Sequence, residues 1–386
     1  MSVRSGKTEL APDRPDVGFW PNCAIGPDQF PGGLCGISHS QPPSQSARFS
    51  YRKEVFFRGH MQRREIITLL GGVAAWPLAA RAQRPATPVI GYLSSASPET
   101  DIARTVGFRK GLNESGFFEG QNVVVEYHWA DGDYGRLPEL AADFVRRQVT
   151  VIAAIGGTAT ATAAKRVTST IPIVFNMGAD PIQLGLVSSL NRPGTNLTGV
   201  VVLSTDLAGK RLQLLKELLP SATSFALLVN PTNPASVPEA SVAQQAAQSL
   251  GVHLDVLQAS TASELDVAFE ALKELRVSGL VVAVDSFFTG RSDQIVKLAA
   301  EHAVPTVYGW RSFTDIGGLM SYAPNIAEGY RSMGILVGRI LKGDKPADLP
   351  VEQVSKVEFI INLKSATALG LTFSLPLIGR ANEVIE

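Results

Sequence analysis

From Pro88 onward the chain alternates short runs of β-branched residues with amphipathic helical patterns, and it does so twice. Residues 89–93, 123–127 and 151–155 read as strands, separated by helical patterns over 102–114 and 137–147. A helix over 159–167 leads to Ile173-Val174-Phe175, and a further helix is expected near 182–190. The order then restarts: helix 207–219, strand 225–229, helix 237–250, strand 252–257, helix 262–275, strand 280–284, helix 295–302 and Thr306-Val307-Tyr308. Strands separated by helices are parallel, because a crossover through a helix returns the chain in the same direction. The halves echo in detail. Ile171-Pro172-Ile173 and Val304-Pro305-Thr306 each open a strand with proline where no ladder donor is needed. The fold class is α/β, in two lobes of the same type.

The link over 200–206 is short. A break at Ala323-Pro324-Asn325 precedes a long helix over 326–341, which Gly343-Asp344-Lys345-Pro346 stops, and residues 357–361 form a last strand. Crossings near 203, 323 and 353 assign 83–203 plus 324–353 to lobe 1, and 204–323 plus 354–386 to lobe 2.

The first 82 residues do not belong to this pattern. Residues 1–60 hold seven each of Pro, Gly and Ser with no apolar periodicity, and read as a disordered, non-native upstream extension. Met61-Gln62-Arg63-Arg64 then precedes an apolar run over 66–80 and Ala80-Arg81-Ala82. That is the layout of an export signal over 61–82, with twin-arginine character, although Ile66 stands where Phe is usual and the general secretory route stays open. Cleavage after Ala82 would discard both cysteines and leave 25 basic and 29 acidic residues. The expected product is periplasmic, without a lipid anchor. A whole-chain formal charge of zero offers no basic surplus for nucleic acid. The few Cys and His argue against a zinc framework.

Ligands of open parallel sheets bind beyond the carboxyl ends of the strands. The residues there are Ser94 and Ser95 after the first strand, Gly156, Gly157 and Thr158 after the third, and Asp180 after the fourth. The second half contributes Asn230, Asp285, Tyr308, Arg311 and Tyr322. Glycines admit a ligand to the backbone, and a helix beginning at Thr158 would aim free N–H groups at an anion. Against this stands an ordinary capped turn. Asp285 would pair an ammonium group or cap a helix. Tyr308, Trp310 and Tyr322 would stack on a ligand or fill gaps, and Arg311 would clamp a carboxylate or bridge the lobes. No phosphate-binding loop, zinc-protease or nucleophile-elbow pattern occurs in 83–386, so neither catalysis nor a cofactor is expected.

Several strings carry a resemblance: Gly156-Gly157-Thr158-Ala159-Thr160-Ala161-Thr162, Asp180-Pro181-Ile182, Asn191-Arg192-Pro193-Gly194-Thr195-Asn196-Leu197-Thr198-Gly199, Gly317-Gly318-Leu319-Met320-Ser321-Tyr322, Gly343-Asp344-Lys345-Pro346 and Glu383-Val384-Ile385-Glu386. From about Met61 to the end the chain resembles the bacterial ABC-transporter substrate-binding protein family of type I periplasmic binding fold. One departure is Asn382, where Asp is usual. The resemblance implies two Rossmann-like lobes on a multi-crossing hinge, closing as a monomer on a small molecule delivered to a permease with a cytoplasmic ATPase. An amino acid suits the residues, with its carboxylate on Ser94, Ser95 and Thr158, its ammonium on Asp285 and its side chain on the aromatics. The alternatives are a sugar or nucleoside ligand, or a sensor-type receptor serving a chemoreceptor or kinase. A repressor sensor domain would need a helix-turn-helix where the export leader stands.

Overall fold

The computed structural model describes residues 87–202 and 204–386; the extension 1–60 and the export signal 61–82 lie outside them. The strands are β1 Val89–Ser94, β2 Val124–Trp129, β3 Val151–Ile155, β4 Ile173–Met177, β5 Leu197–Val201, β6 Ser224–Val229, β7 His253–Gln258, β8 Leu280–Val282, β9 Thr306–Tyr308, β10 Met320–Pro324, β11 Glu352–Gln353, β12 Val357–Asn362 and β13 Glu383–Ile385. The helices are α1 Ile102–Glu114, α2 Leu137–Arg146, α3 Thr158–Val167, α4 Ala208–Leu218, α5 Ser236–Leu250, α6 Ala262–Glu274, α7 Ser286–Gly290, α8 Ser292–Glu301, α9 Arg311–Asp315, α10 Ile326–Leu341, α11 Leu363–Ala368 and α12 Leu375–Ile378.

Two sheets form. One has the order β11-β5-β4-β3-β1-β2 and the other β13-β12-β10-β9-β8-β6-β7. Every pairing is parallel except β10 with β12. Helices cover both faces, so the central strands read as continuous apolar runs, as in the fully buried Val151–Ile155. Alternate side chains of β3 enter opposite cores: Ile152 and Ala154 one, Val151, Ala153 and Ile155 the other. The second sheet repeats this with Leu227 and Val229 against Ala226 and Leu228.

The chain passes between sheets after β5, after β10 and after β11. After β10 it runs into α10, which packs along α1 beside the first sheet. That crossing is close because glycines line it. A Cβ on Gly111 would fall on the Arg331 carbonyl oxygen, and one on Gly334 on the Phe108 carbonyl oxygen.

The segment 182–190 is not a helix. Asp180 Oδ1 accepts from the Ile182 and Gln183 amides at 2.8 and 3.4 Å, and Pro181 O accepts from Leu186 N at 2.9 Å. With Gly185 at φ +66° these bonds close a wide turn instead of a helical ladder. Asn382, the departure noted above, exchanges two bonds of 2.7 Å with the Phe359 backbone, tying β12 to β13.

Candidate ligand-binding site

The carboxyl ends of both sheets line a cavity of about 40 Å3. On the first-sheet side stand Gly156, Gly157 and Thr158, Asn176, and Arg104 with Tyr330; on the second-sheet side stand Asn233, Asp285, Ser286 and Trp310. Ser204 and Thr205, just past the first crossing, close one end.

Gly156 and Gly157 turn the chain from β3 into α3 with φ of +89° and +114°, which disfavours any residue with a Cβ. No side chain caps α3, so its first-turn amides are left toward the cavity. Tyr330 OH accepts from Gly156 N at 3.3 Å and fixes this loop from α10. Two polar atoms on the same wall, Thr158 Oγ1 and Asn176 Nδ2, are buried without a hydrogen-bond partner. An orphaned buried donor costs about 1–3 kcal/mol, so such atoms mark where an acceptor belongs.

Arg104 is buried in the first turn of α1, with Nη1 3.3 Å from Asp101 Oδ1. Asp101 also accepts from Tyr92 OH at 2.8 Å and Trp129 Nε1 at 3.2 Å. Burial opposes the charge on Arg104, but Tyr330, Asp101 and Tyr92 more than offset it, and its pKa is raised.

Asp285 dominates the opposite wall. Its Oδ1 accepts from Phe288 N at 3.1 Å, which caps α7, and from Asn230 Nδ2 at 3.3 Å. Its Oδ2 accepts from Tyr134 OH at 2.8 Å and Asn233 Nδ2 at 2.9 Å. All four donors are neutral, and no cation pairs with Asp285 among the described residues. Burial pushes its carboxyl pKa up against the pull of these bonds. The same burial, with the Asp285 charge beside it, holds the Tyr134 hydroxyl well above the usual phenol range.

Tyr134 reaches Asp285 from the first-sheet side and also accepts from Ser286 N at 3.1 Å. Ser95 Oγ lies 2.7 Å from Ser286 Oγ and donates to Gly156 O at 2.9 Å. These bonds join the two lobes directly.

Of the residues singled out in the sequence, the structure brings Gly156, Gly157, Thr158, Asp285 and Trp310 to the cavity. Ser95 and Asn230 stand one layer behind, the first on Gly156 and Ser286, the second on Asp285. The others lie elsewhere. Ser94 Oγ accepts from Ala96 N at 3.2 Å. Asp180 holds its turn and faces an outer groove. Tyr308 is 1% exposed and stacked on Phe313 with centroids 4.8 Å apart. Tyr322 packs edge-on to Phe359. Arg311 is exposed and paired with Glu383 at 2.6 Å and Asp315 at 3.1 Å, so its charge is already balanced. Arg104, Asn233 and Tyr330 had no local signal: each enters the cavity only because distant segments pack together.

The sequence matches the family described as ABC transporter substrate binding protein over residues 95–385. The chain belongs to this family, whose members are solute-binding receptors that are exported and in general serve an ABC permease and its ATPase. It is 29% identical over 276 residues to a tyrosine-binding protein of Clostridioides difficile strain R20291, covering 71% of this chain and 78% of the relative. A conserved domain protein from Vibrio cholerae is 25% identical with a TM-score of 0.72, covering 77% of this chain and 99% of that one. The ABC domain in complex with L-Trp from Streptococcus pneumonia is 24% identical with a TM-score of 0.71, covering 78% and 100%. The last establishes the fold: two α/β lobes of type I periplasmic binding architecture.

Proposed function

We propose that the protein is a monomeric periplasmic receptor for an α-amino acid with an apolar or aromatic side chain. It is exported by the twin-arginine or general secretory route and hands its ligand to an ABC permease and ATPase. The observation that carries the ligand class is the polarity of the cavity. One wall offers orphaned donors and a helix N-terminus, and the other a buried carboxylate without a cation. An α-carboxylate satisfies Thr158 Oγ1, Asn176 Nδ2 and the α3 amides, where the helix dipole adds roughly 0.3–1 kcal/mol. An α-ammonium supplies the counter-charge that Asp285 lacks. The tyrosine-binding relative supports the same class.

The ligand would meet both lobes only in the closed state, and that differential contact drives closure. A micromolar ligand supplies about 8 kcal/mol in total. The test is calorimetry on protein unfolded and refolded to strip carried solute, against amino acids, sugars and nucleosides. Binding of amino acids alone is expected. Binding of a sugar or nucleoside with no amino-acid signal would discard the reading.

A further inference from the structure

A cavity needs about 10–15 Å3 to hold one water. The central cavity, at about 40 Å3, therefore accommodates an amino-acid head group and no aromatic ring. A large side chain must pass one of its walls. Three larger compartments border it, and the partition to each is a specific residue.

The compartment beside Tyr134, about 990 Å3, shares Ser286 with the cavity. Ser286 is fastened by Ser95 Oγ at 2.7 Å, Gly156 O at 3.3 Å and its amide bond to Tyr134. The compartment beside Asp180, about 630 Å3, shares Thr205, whose Oγ1 donates to Gly178 O at 2.7 Å. The third, also about 630 Å3, lies between α1, α9 and the start of α10, and shares Arg104 and Trp310. Arg104 is held by a single 3.3 Å contact to Asp101. The Trp310 indole makes no hydrogen bond among the described residues and is only partly buried. Of the partitions, Trp310 alone moves without breaking a polar contact. The space behind it has an apolar stretch formed by Ile102, Ala103, Pro324, Ile326 and Ala327, while Glu99, Arg311, Asp315 and Glu358 also line it.

We infer that Trp310 is a displaceable side wall, and that the compartment behind it receives the ligand's side chain. This rests on the amino-acid reading and narrows it: the preferred ligands are α-amino acids whose side chains extend beyond a single phenyl ring. The head group stays between Thr158 and Asp285, while the side chain crosses where the indole stood and stacks on it.

The probes are L-phenylalanine and 4-phenyl-L-phenylalanine, titrated calorimetrically into the refolded protein and into Ala103→Trp, which fills the compartment from an exposed position. The biphenyl ligand is expected to bind at least as tightly as phenylalanine to the unsubstituted protein. In Ala103→Trp the ratio of the two affinities should shift at least tenfold toward phenylalanine. Trp310→Phe serves as a second variant, in which the ligand-induced change in indole emission should disappear. Phenylalanine binding with the biphenyl ligand excluded a hundredfold, or a ratio unmoved by Ala103→Trp, would overturn the side-wall inference and leave the amino-acid reading intact. Failure of both ligands to bind would overturn the side-wall inference, and silence of every other amino acid as well would overturn the amino-acid reading.

Discussion

Two buried carboxylates of the second lobe show how the same burial produces different residues. Asp285 has four neutral donors and faces the cavity, where the ammonium of the proposed ligand would supply its counter-charge. Glu239 has its cation within the fold. Arg211 Nη1 lies 2.9 Å from its Oε1, while Arg211 Nε and Nη2 donate to Tyr322 O and Ser204 O, both at 3.0 Å. The pair thus ties the approaches to two crossings, and Glu239 also accepts from Val284 N at 3.2 Å, next to Asp285. Burial pushes the Glu239 carboxyl from 4.5 up to about 7, with Arg211 opposing. Between those values the folded protein holds a proton that the unfolded chain has released. Stability should therefore fall as pH rises through this window. Urea unfolding across this range should show a negative slope that Glu239→Gln removes; an identical slope in the variant would refute the assignment. Gly156-Gly157-Thr158 and Asp285 were legible in the sequence because turn and cap chemistry is local. Tyr308 and Tyr322 were misread for a reason of phase. Both are strand residues whose rings enter the cores flanking the sheet, whereas Trp310, two residues past Tyr308, has left the strand and turns to the cavity.

At the scale of elements, the alternation of strands and helices was readable because each is a short run of one periodicity. The strands β5 and β10 were not: Gly199 interrupts the β-branched residues of β5, β10 has none, and both gain strand structure from their neighbours. The turn over 182–190 was misread because its apolar spacing imitates a helix, while Asp180 and Gly185 decide otherwise. The close crossing of α1 with α10 joins the helix carrying Arg104 to the helix carrying Tyr330, so it sets one wall of the cavity. Gly111→Ala places a methyl group on the Arg331 carbonyl and should cost roughly 1–3 kcal/mol through overpacking. A lower urea midpoint at an unchanged slope is the expected result. An unchanged midpoint would mean that the helices separate without cost.

Across the whole molecule, the lobes meet through Tyr134 on Asp285 and Ser286, and through Ser95 on Ser286. Parting of the lobes would break these bonds, so they favour the arrangement in which both lobes face the cavity. Tyr134→Phe removes a hydrogen bond to a charged group, worth about 1.5–3 kcal/mol. Affinity should fall roughly tenfold or more, chiefly through faster dissociation in stopped-flow traces, since the open state that captures ligand is unaltered. A slower association with unchanged dissociation would contradict the latch. The polarity of the cavity remains the claim on which the ligand class depends. It is tested most directly by a thermodynamic cycle between Asp285→Asn and removal of the ligand's amino group, comparing L-tyrosine with 3-(4-hydroxyphenyl)propionate by calorimetry. Asn can retain the cap on α7 through its oxygen, but its amide NH2 then faces the Tyr134 and Asn233 donors, so the cycle and not the single variant isolates the charge pair. If the ammonium sits on Asp285, removing either partner weakens binding at least tenfold and removing both adds little further, a coupling of about 1.4 kcal/mol or more. Strictly additive losses, or an Asp285→Asn protein that binds L-tyrosine unchanged, would show that the ammonium lies elsewhere.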